Sequence, residues 1–154
     1  MRKPMAGFTL LELLVVLVIV SLLAGLAGLV QSDSGGQKAR REGERLQNLI
    51  GLLREDAVLN SVNHGLRLEP DRYAVQNLGR DGQWQADKRF KEYRLPGGLR
   101  LDLQEPRGQG KEPQLWITSD DQLSPFTLLL EYHQQPLLSL SSDGVEEVRL
   151  APVQ

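Results

Sequence analysis

Glu12 is the first residue that asks for a chemical explanation. It lies near the start of an apolar run, Phe8 to Val30, that is 23 residues long. Residues 13–30 carry a single polar side chain, Ser21. A carboxylate deep in a bilayer costs roughly 2.5–3.5 kcal/mol on insertion scales, and such a residue usually has a partner. No basic residue follows it within helical reach. A positive charge on the other side would arise if the chain were cut between Gly7 and Phe8. The new α-amino group of Phe8 would stand four residues before Glu12, about one helical turn away. It could neutralise its own Glu12. It could instead meet the Glu12 of a neighbouring helix and set the register of an otherwise apolar bundle. The chemistry this spacing offers is processing and assembly.

Other reactive groups are sparse. The chain has no cysteine, which excludes disulfides, zinc–thiolate sites and thiol nucleophiles. His64 and His133 are far apart, and neither stands in a metal-ligand spacing. There is no G-x-S-x-G elbow and no P-loop. Asp71, Asp81 and Asp87 could be imagined as calcium ligands, but such sites need about six to eight oxygens and the EF-hand spacing is missing. They read as turn residues. Trp84 and Trp116 read as core or loop anchors. The expectation is a protein without catalytic residues, metal or cofactor. Nor does charge suggest nucleic acid. Removing Arg2 and Lys3 from the 18 basic residues leaves 16 against 20 acids.

The elements that position Glu12 begin with the run itself. As a helix, residues 8–30 would span roughly 34 Å, enough to cross a hydrocarbon core. Arg2 and Lys3 precede it, which keeps the N-terminus cytoplasmic and sends the rest outward. Two simpler readings compete. One is a plain signal anchor. The other is a conventional signal peptide cut near Ala24–Gly28, which would release a soluble periplasmic binding domain. Neither accounts for Glu12.

Gly7-Phe8-Thr9-Leu10-Leu11-Glu12 resembles the signal of type IV pilins and type II secretion pseudopilins. That pattern is a short basic leader ending in Gly, then Phe, then Thr-Leu-hydrophobic-Glu, then a long apolar helix. The resemblance implies that the prepilin peptidase cleaves between Gly7 and Phe8 and N-methylates Phe8. It also places Glu12 on the family's assembly glutamate.

Beyond the run, Ser32-Asp33-Ser34-Gly35-Gly36 interrupts the helical pattern, and the paired glycines are expected to kink or break the helix near 32–37. Leu46, Leu49, Ile50, Leu53 and Ala57 then predict an amphipathic helix over 38–62. Its Arg41, Glu44, Arg45, Arg54 and Glu55 read as a solvated face. Strands and turns follow over 64–150. Leu66 and Leu68 alternate, Asp81-Gly82 signals a hairpin, and Leu99, Leu101 and Leu103 form a period-2 strand. Residues 104–113, with two Pro and two Gly, read as a mobile loop. Strands are expected at 114–118, 125–132, 136–141 and 145–150, with turns at Asp120-Asp121, Gln134-Gln135 and Asp143-Gly144. The fold class is α+β: a long N-terminal transmembrane helix continuing into an amphipathic helix on mainly antiparallel sheet. The expected divisions are a leader (1–7), a transmembrane and assembly helix (8–30), a hinge (31–37) and a head (38–154).

Leu115-Trp116-Ile117-Thr118-Ser119-Asp120-Asp121-Gln122-Leu123-Ser124-Pro125-Phe126-Thr127-Leu128 resembles a block of the minor pseudopilin family called type II secretion protein H. The Leu52–Leu59 helix segment and the Ser141-Ser142-Asp143-Gly144 turn are similar too. The family's Pro-Ser-Gly turn is here Thr118-Ser119-Asp120. The resemblance implies a structural subunit at or near the tip of a periplasmic pseudopilus. Its partners would be the minor pseudopilins I, J and K, the major pseudopilin G, the prepilin peptidase and the inner-membrane platform. A minor pilin of a type IV pilus is the nearest alternative. Such pilins often carry a C-terminal cysteine pair, which this chain lacks.

Overall fold

The computed structural model describes residues 9–27, 35–105 and 110–154. The chain divides into two compact units at the Ser34–Gly35 boundary. The first holds helix α1 (Leu10–Ala27). The second holds helix α2 (Gly35–Asn60) and, among the described residues, nine strands.

Helix α2 starts three residues before the expected position. Gly35, Gly36 and Gln37 form its first turn, so these three residues are helical; 31–34 of the expected hinge lie outside the described residues. Two physical reasons favour this start. The first N–H groups of any helix lack intrahelical acceptors. Gly35 also lies so close to Tyr132 that a Cβ would come within 2.2 Å of the ring. Ala39, Leu46, Ile50, Leu53 and Ala57 bury the predicted stripe, with Leu49 partly buried beside it. Each fully buried Leu or Ile contributes about 1.5–3 kcal/mol. Arg54 corrects the expected solvated face. Its side chain is 15% exposed, and it donates to Asp121 Oδ1 at 2.8 Å and to the carbonyl of Glu146 at 3.3 Å.

One sheet has five strands: β1 (His64–Glu69), β2 (Arg72–Leu78), β3 (Trp84–Ala86), β4 (Tyr93–Arg94) and β6 (Leu115–Ile117). Its order is β3-β2-β1-β6, with β4 also paired to β2. The other runs β5 (Leu99–Gln104), β7 (Phe126–Tyr132), β8 (Gln135–Ser142) and β9 (Arg149–Pro152). Every strand pair is antiparallel. Leu66, Leu115, Ile117, Leu128, Leu130 and Leu140 bring both sheets into one core with α2.

Three local expectations shift. The β7–β8 turn is His133-Gln134, one residue early. Both have positive φ, 49° and 67°, as a two-residue hairpin of this hand demands. The last strand begins at Arg149, because Asp143 Oδ1 accepts the N–H groups of Val145 and Glu146 and holds 143–146 as a turn. The segment predicted as a mobile loop is pinned at its far end. Pro113 is fully buried, the Lys111 carbonyl accepts from Gln76 at 3.2 Å, and Gln114 Oε1 accepts the Leu68 N–H at 2.7 Å. Residues 106–109 lie outside the described residues.

Candidate functional site

Of the three residues singled out by the sequence, Gly7 and Phe8 lie outside the described residues, and Glu12 lies in the first turn of α1. Thr9 starts that helix. Its carbonyl accepts the Leu13 N–H at 3.2 Å, and its Oγ1 stands 3.3 Å from the Glu12 N–H. Thr9 is thus the N-cap and Glu12 the third helical residue, the Thr-x-x-Glu spacing of a capping box. A carboxylate in the first turn is also favoured by the helix dipole.

The rest of α1 has no core to join within this chain's described residues. Every described side chain from Thr9 to Leu22 is exposed. Among its large apolar side chains Val15 is 47% exposed and Leu10 reaches 85%. An isolated helix with this surface in water would forfeit the burial that normally stabilises helices in proteins. Among the described residues no helix is long and apolar enough to cross a membrane. The apolar run of the sequence extends past α1 at both ends, from 8 to 30. Glu12 is the only charge on α1.

The head carries a polar cluster that sequence spacing did not reveal. His64, on β1, is fully buried, and its Nε2 lies 2.6 Å from Asp56 Oδ2 on α2. Its Nδ1 lies 3.9 Å from Asp87 Oδ2, just after β3. Arg89 joins the two carboxylates. It donates to both oxygens of Asp56 at 3.0 Å and to Asp87 Oδ2 at 2.8 Å. The Arg89 hydrogen bonds hold Asp56 down to about 2, and they also lower Asp87. The histidine is closed to solvent, and the arrangement fastens α2, β1 and the segment after β3 together. Residues 31 apart in sequence supply its Asp56–Asp87 pair, so no short motif could have announced it.

The other groups weighed from sequence take structural places. Asp87 is the buried partner of Arg89, Asp71 pairs with Arg72 at 3.1 Å, and Asp81 accepts the Gln83 N–H at 3.2 Å in the β2–β3 turn. They do not converge. Among the described residues no group of three His, Asp or Glu could hold a metal ion. Trp84 packs beside Gly65, and the Trp116 indole N–H donates to the Pro113 carbonyl at 3.0 Å. Glu42 is a second buried acid missed by the sequence reading. Its Oε1 accepts the Tyr93 hydroxyl at 2.9 Å, while burial raises the Tyr93 phenol first and Glu42 raises it further.

Residues 2–28 match the prokaryotic N-terminal methylation motif. The type II secretion system protein H of Pseudomonas aeruginosa is 40% identical over 157 aligned residues, covering 90% of this chain and 91% of that protein. The crystal structure of the minor pseudopilin EpsH from the Vibrio cholerae type II secretion system matches with a TM-score of 0.65. It is 27% identical, over 79% of this chain and 99% of that one. The solution structure of Escherichia coli GspH matches in fold, with a TM-score of 0.68 at 20% identity, over 80% and 94% of the two chains.

Proposed function

The chain belongs to the type II secretion system protein H family, the minor pseudopilins, and from that premise we propose how its α1 unit serves as a processed assembly helix. The prepilin peptidase cuts between Gly7 and Phe8 and methylates the new Phe8 amine. The N-terminus faces the cytoplasm and the head lies in the periplasm. The helix is held in the inner membrane and then passes into the bundle of a pseudopilus. Its apolar surface is covered in both places, so the transfer need not expose it to water.

Glu12 accepts the Phe8 ammonium of a neighbouring subunit during that transfer. The observation that carries this reading is the exposure of every described α1 side chain from Thr9 to Leu22 around a single carboxylate. Lipid can cover the Leu and Val side chains but offers the carboxylate no partner, whereas a neighbouring processed N-terminus does. The subunit stands at or near the tip, with the I, J and K minor pseudopilins, the major pseudopilin and the inner-membrane platform as partners. Its role is structural and not enzymatic.

Mass spectrometry of the intact N-terminus from native membranes tests the scheme. The expected chain begins with N-methyl-Phe8. A chain beginning near Gly25 or Gly28 would make Glu12 part of a discarded signal peptide and end the assembly reading.

A further inference from the structure

Leu66, Val75 and Leu115 turn toward the core that α2 shares; their strand neighbours Gly65, Gln76 and Trp116 turn to the opposite face of the five-stranded sheet. On that face Gly65 of β1 stands opposite both Gln76 of β2 and Trp116 of β6, and Trp84 of β3 reaches over it. Residues 111–113 cross this row as a strap before β6 begins. The Lys111 carbonyl accepts from Gln76 Nε2 at 3.2 Å, Pro113 packs on Gly65, and the Trp116 indole N–H donates to the Pro113 carbonyl at 3.0 Å. A Cβ on Gly65 would come within 2.4 Å of the Pro113 ring and 2.9 Å of Trp84, so the glycine makes the room that the proline fills.

The strap sits on the row as a ligand sits in a site. Proline against aromatic side chains, with an indole N–H near its carbonyl, is how aromatic grooves hold extended proline-bearing peptides. The fit is incomplete at one atom. Gln76 is only 9% exposed, yet its Oε1 has no hydrogen-bond partner among the described residues. A side-chain amide is matched by an extended residue, which turns its own N–H and C=O to one side. The strap offers Gln76 a C=O alone, because residues 110 and 111 form a turn, with a φ of 74° at Gly110. Trp116 remains 43% exposed, so the row is open to solvent beside the strap.

We propose that the strap is a self-docked ligand, and that Gln76, Gly65, Trp84 and Trp116 form a slot for an extended, proline-bearing segment of a different protein. Such a segment seats its proline on Gly65 and meets both ends of the Gln76 amide, where the strap meets one. The strap fills the slot until that segment displaces it, so binding is a competition between a tethered ligand and a free one. The slot lies wholly in the head, and the inference does not depend on how α1 is processed.

Trp84 and Trp116 are the chain's two tryptophans, so the indole N–H signals in a nuclear magnetic resonance spectrum of the isotope-labelled full chain in detergent report on the slot alone. The probe is the end-capped peptide Val-Lys-Glu-Pro-Gln, the strap's own sequence behind a β-branched residue that favours extension. Both signals should shift saturably, with half-saturation on the order of millimolar, the effective concentration of a competitor on a short tether. Pro113→Ala should lower the half-saturation about tenfold by weakening that competitor. Adding Gln76→Leu to the Pro113→Ala chain should raise it again several-fold, and a peptide with Ala in place of Pro should move neither signal. The titration of the parent chain needs no substitution: signals unmoved there at several times the expected half-saturation overturn the slot, whether or not Pro113→Ala folds. Equal shifts from the two peptides overturn the recognition of proline, and unchanged binding with Gln76→Leu overturns the pairing with the amide. Shifts that arise on concentrating the chain without peptide would mean that copies exchange their straps, and would overturn a different protein as the occupant.

Discussion

A carboxylate means different things at Glu12 and at Asp56, and the difference is its partner. Among the described residues Glu12 has the N–H groups of its own first helical turn beside it, and under the assembly reading proposed above its strong partner comes from another chain. Glu12→Ala is expected to leave the head folded and to weaken assembly by about 3 kcal/mol, the scale for removing one member of a buried charge pair. That is on the order of a hundredfold in an equilibrium, read as lost secretion with unchanged circular dichroism. Normal secretion from the Glu12→Ala strain would remove the assembly role. Asp56 has its partners at home. Arg89 holds Asp56 at about 2 against an ordinary 3.8 and lowers Asp87 as well. A depressed carboxylate contributes stability that is complete above its unfolded value and disappears as pH falls through the folded one. The head should therefore hold a constant melting temperature above about pH 5 and lose it progressively between about pH 4 and 2. Arg89→Ala should cost roughly 3 kcal/mol, because Asp87 is left buried. The acid sensitivity should flatten with it. A melting temperature falling in parallel for both proteins would separate the acid response from this cluster.

Elements show where sequence pattern suffices and where packing overrides it. The α2 stripe was legible because Leu46, Ile50, Leu53 and Ala57 repeat at the spacing of one helix face and meet one core. The start of α2 was not legible. A glycine pair signals a break by local propensity, but the Tyr132 ring that favours glycine at 35 is 97 residues away in sequence. The β7–β8 turn was missed by one residue for a related reason. Positive φ at His133 and Gln134 is imposed by strand register, and neither residue advertises it. The short β4 exists only because β2 offers a free edge at Arg72 and Tyr73. Two glycines of α2 give opposite expectations. Gly35→Ala would drive a methyl into the Tyr132 ring and should destabilise the head by about 1–3 kcal/mol. Gly51→Ala meets nothing within 4 Å and should stabilise it by about 0.5–1 kcal/mol through helix propensity. Denaturant midpoints of the two variants on either side of the parent would bear this out; equal shifts would mean that propensity, not packing, governs the first turn.

At the scale of the whole molecule, each unit solves a different solvent problem. The buried hydrophobic residues run from Ala39 to Val148, and no described residue of α1 joins them. The head therefore owns its core, its two sheets and its polar cluster, while α1 owns an apolar surface that the proposed assembly reading covers with lipid or other helices. The sequence made this division legible through the contrast between residues 13–30 and everything after them. It left the cluster of Asp56, His64, Asp87 and Arg89 invisible, because no short motif joins residues so spaced. If the division is physical, removing residues 1–34 takes away nothing that holds the head together. A chain beginning at Gly35, with Tyr132 still packed on it, should be soluble, fail to sediment with membranes, and melt in one cooperative transition. Its denaturation midpoint should match that of the full chain in detergent, because the buried hydrophobic residues all lie between Ala39 and Val148. Broad, non-cooperative melting of the shortened chain would show that α1 contributes to the head's fold, and the exposure of its apolar side chains would then need another explanation than a partner outside the chain.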